Sequence, residues 1–178
     1  MKYIAGLLFL MMAYNPQVIF DFDTNSNLNK WNIVDDVVMG GQSDGDMKIS
    51  EDGHGLFEGE ISLENNGGFS SVRLSLQELE VKPDQKIMIR LKGNGERYQF
   101  RVKHDRRAYQ SYVTYFETNG KWQEVEIQLA ELYPIFRGNR LNRQNFNHQN
   151  IEEIGFLIGN KKPQRFSLLI DEILLVKE

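Results

Sequence analysis

Along this chain hydrophobic residues recur at every second position in short runs, and glycine or asparagine separates one run from the next. In KIMIRLK, Ile87, Ile89 and Leu91 fall on one face while Met88, Arg90 and Lys92 take the other, the period of two that a half-buried β-strand requires. The same reading gives strands at VIFDF, WNIVDD, DMKIS, GLFEGEISLE, FSSVRLSL, RYQFRVKH, QSYVTYFET, WQEVEIQL, IEEIGFLIG and RFSLLIDEILLV. GFLIG and FSLLIDEILLV are nearly continuous in apolar residues, which suits strands buried on both faces or a face covered by a loop. Only LQELE and LAELY read as turns of helix, both too short to stand without tertiary support. The pattern predicts an all-β sandwich in one domain.

Alternation also assigns faces to charge. In RYQFRVK, Tyr98, Phe100 and Val102 point inward, leaving Arg97, Gln99, Arg101 and Lys103 outward. With GNGE reversing the chain before it, this strand and KIMIRLK read as a hairpin carrying a basic outer stripe. WQEVEIQL presents Glu124 and Glu126, so a neighbouring position for it absorbs that stripe through cross-strand pairs of about 0.2 to 1 kcal/mol each. In LENNGGFSSVR the inward phase changes from odd positions (Ile61, Leu63) to even ones (Val72, Leu74), as a turn or bulge at Asn65 to Gly68 produces. Its functional reading places Asn65, Asn66 and Arg73 in a groove between sheets. PIFRGNRLNRQNFNHQN, with five asparagines and three arginines, reads as a long surface loop.

The segment VDDVVMGGQSDGD concentrates candidate chemistry. A phosphate loop requires GxxxxGK[ST] or GxGxxG opening a helix, and neither spacing is present. Adjacent strand residues point to opposite faces, so Asp35 and Asp36 do not pair as hydrolase carboxylates; a hydrolase has to combine one of them with Glu58 or Glu60. An EF-hand fails because counting from Asp44 puts Gly55 at its last ligand position. A looser structural calcium site from Asp35 or Asp36 with Asp44 and Asp46 is the one cofactor left open. The simpler reading is that Gly40 and Gly41 supply unusual backbone geometry while aspartate and serine bond to local amides. No GxSxG or SxxK occurs, so no nucleophile is advertised.

Composition narrows the classes. A chain of 178 residues buries roughly two-thirds of its unfolded surface as one domain. The absence of cysteine excludes disulfides, thiolate zinc sites and cysteine nucleophiles, and three isolated histidines make no histidine metal cluster. Twenty-one basic residues against 25 acidic ones, net charge -4, provide no general attraction to nucleic acid, although RAYQSYVTYF with Arg97, Arg101, Arg106 and Arg107 contains the residue types of a single-strand binder. The start, MKYIAGLLFLMMAYNPQ, has a lysine, an apolar run from Ile4 to Tyr14 and a proline stop, which is the pattern of a secretory leader over residues 1–17, with a domain over 18–178. The run is shorter than a membrane span. An exported, periplasmic or extracellular location is expected.

Six pieces taken in order, WNIVDDVVMGGQSDG, LFEGEISLENNGGFSSVR, GNGERYQFRV, YFETNGKWQEVEIQL, FRGNRL and IEEIGFLIGNKKPQRFSLLIDEILL, resemble the complex I intermediate-associated protein 30 family over about Phe20 to Leu175. The resemblance implies a galactose-binding-like jelly roll, a β-sandwich of mainly antiparallel strands. Eukaryotic members assist assembly of respiratory complex I in mitochondria as non-catalytic, chaperone-like partner-binding proteins. It therefore implies a protein partner, a respiratory or envelope complex intermediate, with carbohydrate as the alternative ligand and no catalytic residue to carry over. The polar positions matching the family pieces are Asp35, Asp36, Asn65, Asn66, Arg73, Arg97, Tyr98 and Arg137, and these are the candidate binding residues.

Overall fold

The structure, a computed structural model, describes residues 16–176; most of the leader lies outside the described residues. In chain order the strands are β1 (Gln17–Asp21), β2 (Trp31–Asp35), β3 (Asp44–Ile49), β4 (Gly55–Ile61), β5 (Ser70–Glu80), β6 (Lys86–Gly93), β7 (Arg97–Lys103), β8 (Ser111–Glu117), β9 (Gln123–Gln128), β10 (Tyr133–Phe136), β11 (Asn139–Arg140), β12 (Asn150–Ile158) and β13 (Gln164–Val176). One sheet has the order β3-β4-β13-β6-β9, with β1 also paired to β13; the other runs β11-β10-β8-β7-β12-β5-β2. Every pairing is antiparallel. The expected all-β sandwich is what forms.

The core lies between the sheets and is built by the predicted alternation. Phe57 of β4, Ile87, Ile89 and Leu91 of β6 and Leu168, Ile170, Ile173 and Leu175 of β13 meet Val72 and Leu74 of β5, Tyr98, Phe100 and Val102 of β7, and Ile154, Phe156 and Ile158 of β12. Each such side chain contributes about 1.5 to 3 kcal/mol by leaving water, so the sandwich needs no covalent staple. The two nearly continuous apolar runs, β12 and β13, are central strands of their sheets. A bulge between Ile170 and Glu172 shifts the register of β13, so that inward positions pass from even (Phe166, Leu168, Ile170) to odd (Ile173, Leu175).

Three local expectations are corrected, and a fourth, the helical turn at LAELY, holds in shortened form. LQELE is the second half of β5, because Leu79 pairs with Ile151 of β12 and is buried there; sheet pairing overrides a weak helical tendency. LAELY makes one 3-10 turn at Leu129–Glu131 before β10 begins. The segment after Pro134 contains the β10–β11 hairpin, whose turn has positive φ at Arg137 (47°) and Gly138 (79°), and it buries Ile135 and Phe146. Last, β6 and β7 are not a hairpin. They belong to different sheets, as do β4 and β5, so GNGE and NNGG both carry the chain from one sheet to the other.

Candidate functional site

The two glycine-rich family segments meet at a single carboxylate. Asp36 is fully buried at the start of a 3-10 turn (Asp36–Met39) that follows β2. It accepts hydrogen bonds from the Ser43 amide (3.0 Å), the Ser43 hydroxyl, the Gly68 amide and the Phe69 amide (3.2 Å). Burial alone would raise its pKa, but the bonds from Ser43, Gly68 and Phe69 outweigh it and hold the carboxyl below the ordinary aspartate value. Close approach explains two of the glycines: a Cβ at Gly41 would stand 2.2 Å from Asp36 Oδ1, and one at Gly67 would stand 2.6 Å from Oδ2. With four protein donors on its two oxygens, Asp36 has little capacity left for a cation. Asp35 accepts the Gly45 amide at 3.0 Å, and burial, with the charges of Asp44 and Asp36, pushes its carboxyl up.

The cations lie elsewhere. Residues paired directly across an antiparallel ladder share a face, so the registers trace one outward row through Asn32, Arg73, Gly155, Arg101, Val113 and Tyr133. A second row runs Val34, Ser71, Leu157, Gln99 and Tyr115, and flanking pairs add Glu153 with Lys103 and Arg97 with Glu117. Arg140 joins through Ile135. The outer face of the seven-stranded sheet thus holds Arg73, Arg97, Arg101, Lys103 and Arg140 against Glu117 and Glu153. Among the described residues none of those five cations forms an ion pair. Arg97 sits over the Tyr115 ring at 4.7 Å and Arg140 over Tyr133 at 4.5 Å. Burial, with the charge of Arg73 beside it, lowers the Arg101 guanidinium to about 10, which leaves it charged at neutral pH.

The outer face of the six-stranded sheet is mostly ion-paired instead. There Lys48–Glu58 (2.6 Å), Lys86–Glu126 (2.9 Å), Arg90–Asp171 (3.1 Å) and Arg165–Glu60 (3.7 Å) pair; of the basic residues of β6, β9 absorbs Lys86 as expected, whereas Arg90 turns to Asp171 of β13 and Lys92 forms no ion pair among the described residues. The crossing at GNGE sends the basic residues of β7 to the other side, beyond the reach of Glu124 and Glu126. Beside this paired face, Trp122 packs against His54 (4.6 Å, edge-on) and Arg90 (5.6 Å), and His54 Nδ1 lies 2.9 Å from Asp171.

The predicted candidates do not form one site. Asp35 and Asp36 lie at the end of β2, Asn65 and Asn66 are exposed in the adjoining turn with φ of 53° and 62°, and Arg73 and Arg97 are on the cationic face. Arg73 points outward, not into a groove between sheets. Tyr98 is a core residue, fully buried, whose hydroxyl bridges Asn94 Oδ1 (2.9 Å) and the Ser167 carbonyl (3.1 Å). Arg137 occupies the β10–β11 turn over the Phe136 ring at 5.3 Å. The partner-binding candidates do not include Arg101, Lys103, Arg140, Tyr115 and Tyr133, although Arg101 and Tyr115 enter the sequence reading as residue types of a single-strand binder. The alternation of RYQFRVK signalled two of them, but the strand that would neighbour it did not follow from local pattern.

A family 11 carbohydrate-binding module from Clostridium thermocellum, solved with a β-1,3-1,4-mixed-linked tetrasaccharide, superposes with a TM-score of 0.67 at 16% identity, covering 91% of this chain and 96% of that one. Part of an agarase, 24% of its chain, matches 92% of this chain with a TM-score of 0.59 at 11% identity. The fold is therefore the galactose-binding-like jelly roll. In sequence, the mitochondrial complex I intermediate-associated protein 30 of Drosophila melanogaster is 23% identical over 192 residues, which cover 92% of this chain and 64% of that relative's length. The profile of the family described as complex I intermediate-associated protein 30 matches residues 20–170, spanning both crossing turns, the Asp36 lock and the cationic sheet, and the chain belongs to that family.

Proposed function

We propose that this protein is a non-enzymatic, assembly-factor-like binding domain that holds a protein partner against the outer face of its seven-stranded sheet. The observation that carries this reading is the charge contrast between the two faces: among the described residues, four of the five cations on the six-stranded sheet's outer face are ion-paired, Lys92 being the exception, and none of the five on the opposite face is. A desolvated, unpaired cation costs free energy in the isolated domain, and a partner that supplies counter-charge recovers it. Membership of the family and the name of the Drosophila relative support a role in holding an intermediate of a larger complex. The motif carboxylates are committed to backbone donors, which supports binding over hydrolysis. The test is capture from soluble and membrane extracts of the native cells, wild type against an Arg73→Glu/Arg101→Glu variant of unchanged fold. A partner retained only by the wild type is expected; equal capture by both would remove the face from the proposal. The exported location belongs to the same proposal and is checked by cell fractionation and sequencing of the mature N-terminus.

A second reading, carbohydrate binding, has its own observation: Trp122 is 37% exposed beside His54, Arg90 and Asp171, an aromatic surface rimmed by polar groups. The likeness to the family 11 module favours it. Neutral β-glucan oligosaccharides on an array, with Trp122→Ala as the control, separate the two readings.

A further inference from the structure

We infer that the strip around Gly155 on the outer face of the seven-stranded sheet is a docking surface for an extended acidic segment of the protein partner, its carboxylates taken by Arg73 and Arg101. The inference rests on the reading that this face holds a partner and adds the chemistry of what is held. Gly155 lies on β12 between Arg73 of β5 and Arg101 of β7, so the row has a gap where a side chain would stand between the two arginines. A Cβ placed there would approach the Val72 carbonyl to 2.7 Å and the Arg73 Cγ to 3.3 Å. The floor is thus backbone and the walls are arginine stems.

Among the described residues three buried polar atoms of this face have no hydrogen-bond partner: the donors Arg73 Nε and Ser71 Oγ, which a carboxylate can satisfy, and the acceptor Gln99 Oε1, which a backbone N–H can. Gln99 is 3% exposed and Ser71 is fully buried, so these are desolvated groups rather than surface groups left to bulk water. Arg101 makes one side-chain hydrogen bond, Nη2 to Ser111 Oγ at 3.2 Å, and most of its fork remains for another acceptor. Glu153 is the one acid that offsets both Arg101 and Lys103, while Arg73 acts against both. An incoming carboxylate would accept two parallel N–H bonds from a guanidinium and relieve that mutual repulsion. Extended backbone suits the strip, because donors spaced along a row across adjacent antiparallel ladders can each meet a side chain from one face of a strand-like segment.

The aromatic residues of the face argue against sugar and nucleic acid. A sugar or a base requires an open ring face to stack on. Arg97 stands over the Tyr115 ring and Arg140 over the Tyr133 ring, so a guanidinium occupies one face of each, although Tyr115 remains 45% exposed. The net charge of -4 gives any polyanion no long-range attraction, so an acidic segment is drawn only by the locally positive surface, and a matched-charge oligonucleotide decides between the two anions.

The test uses the full chain and a fluorescent peptide of about ten residues alternating glutamate and glycine, followed by anisotropy at low and raised salt. Binding that weakens with salt is expected, with a loss of about tenfold or more in Arg73→Gln/Arg101→Gln, a smaller loss in Arg73→Lys, and no change in Lys48→Gln or Lys86→Gln on the opposite sheet. Oligogalacturonate and a thymidine oligonucleotide of matched charge serve as rivals. No peptide binding, equal loss from the opposite-face variants, or preference for either rival overturns the inference. If partner capture still depends on Arg73 and Arg101 while the peptide fails, the acidic chemistry falls and the docking face stands. Thermal melts within a few degrees of wild type confirm that each variant is folded.

Discussion

Replacing Asp36 with alanine removes the acceptor on which two separated segments converge. Left without a partner are the Ser43 amide, in a residue only 2% exposed, and the amides of Gly68 and Phe69; the Ser43 hydroxyl can still turn to the Ser62 carbonyl at 3.3 Å. An orphaned buried donor costs about 1 to 3 kcal/mol, and the half-buried Gly68 and Phe69 amides recruit water and take the lower end, so the total is about 3 to 5 kcal/mol. Against a whole-domain stability of about 5 to 15 kcal/mol that is a large fraction, and it lowers Tm by about 10 °C. Asp36→Asn loses about half as much: one oxygen still serves the donors on Oδ2, while its amide faces the Ser43 N–H. Because the folded pKa lies below the ordinary 3.8, the stabilisation is present above that value and is lost as pH falls through the folded value; Asp36→Asn therefore shows a flatter acid limb. Urea unfolding followed by the fluorescence of Trp31 and Trp122 measures all three effects. A change below about 1 kcal/mol in Asp36→Ala would refute the lock.

Asp35 has its carboxyl pushed up by burial, so the ionised form is penalised in the folded state above the folded pKa; Asp35→Asn, which keeps an acceptor for the Gly45 amide, is expected to match the wild type or exceed it by up to about 1 kcal/mol at neutral pH, and a clear loss in urea titration would contradict this. Tyr98→Phe deletes the bridge from β7 to Asn94 and Ser167 and costs about 1 to 2 kcal/mol in the same titration, with far-UV circular dichroism unchanged. His148 stacks on His104 at 3.7 Å and bonds the Tyr112 hydroxyl at 2.8 Å; burial, with the charge of His104, holds its pKa below 6.5. The folded state therefore resists protonation, and stability declines as pH drops below 6.5 until the folded value is passed. His148→Gln reduces the difference between melts at about pH 7.5 and about pH 5.5, and an undiminished difference would assign it to other groups.

The sandwich was legible because its signal is local. A period of two in β4, β6 and β7 states which residues face inward without reference to any neighbour, and the structure buries Phe57, Ile89 and Phe100 accordingly. What local pattern does not contain is the partner of each strand. GNGE is equally compatible with a hairpin and with a crossing between sheets, and only packing of the complete chain decides which. That choice moved Arg97, Arg101 and Lys103 from a mostly ion-paired face to an unpaired one. Asp36 shows the complementary limit: its spacing from Gly67 and Gly68 carries no periodicity, so the family pieces could be quoted in order without revealing that two of them close on one carboxylate.

The lock and the cationic face are physically connected. Asp36 immediately follows β2, and its bonds to Gly68 and Phe69 hold the residues that lead into β5, where Asp35 is opposite Ser70 and Asn32 is opposite Arg73. A strand that enters one residue early or late exchanges its two faces, which would turn Arg73 into the core and Val72 out of it. Holding the entry to β5 by a buried, multiply bonded carboxylate therefore sets the register that presents Arg73 beside Gly155 and Arg101. The acids that look most like catalysts in this sequence act on the position of the arginines, and in the proposed function it is the arginines that meet the partner. On this account a lesion at Asp36 weakens partner capture only as far as it loosens β5. Lowering the temperature or adding a stabilising osmolyte should then restore binding in Asp36→Asn and leave Arg73→Gln/Arg101→Gln deficient.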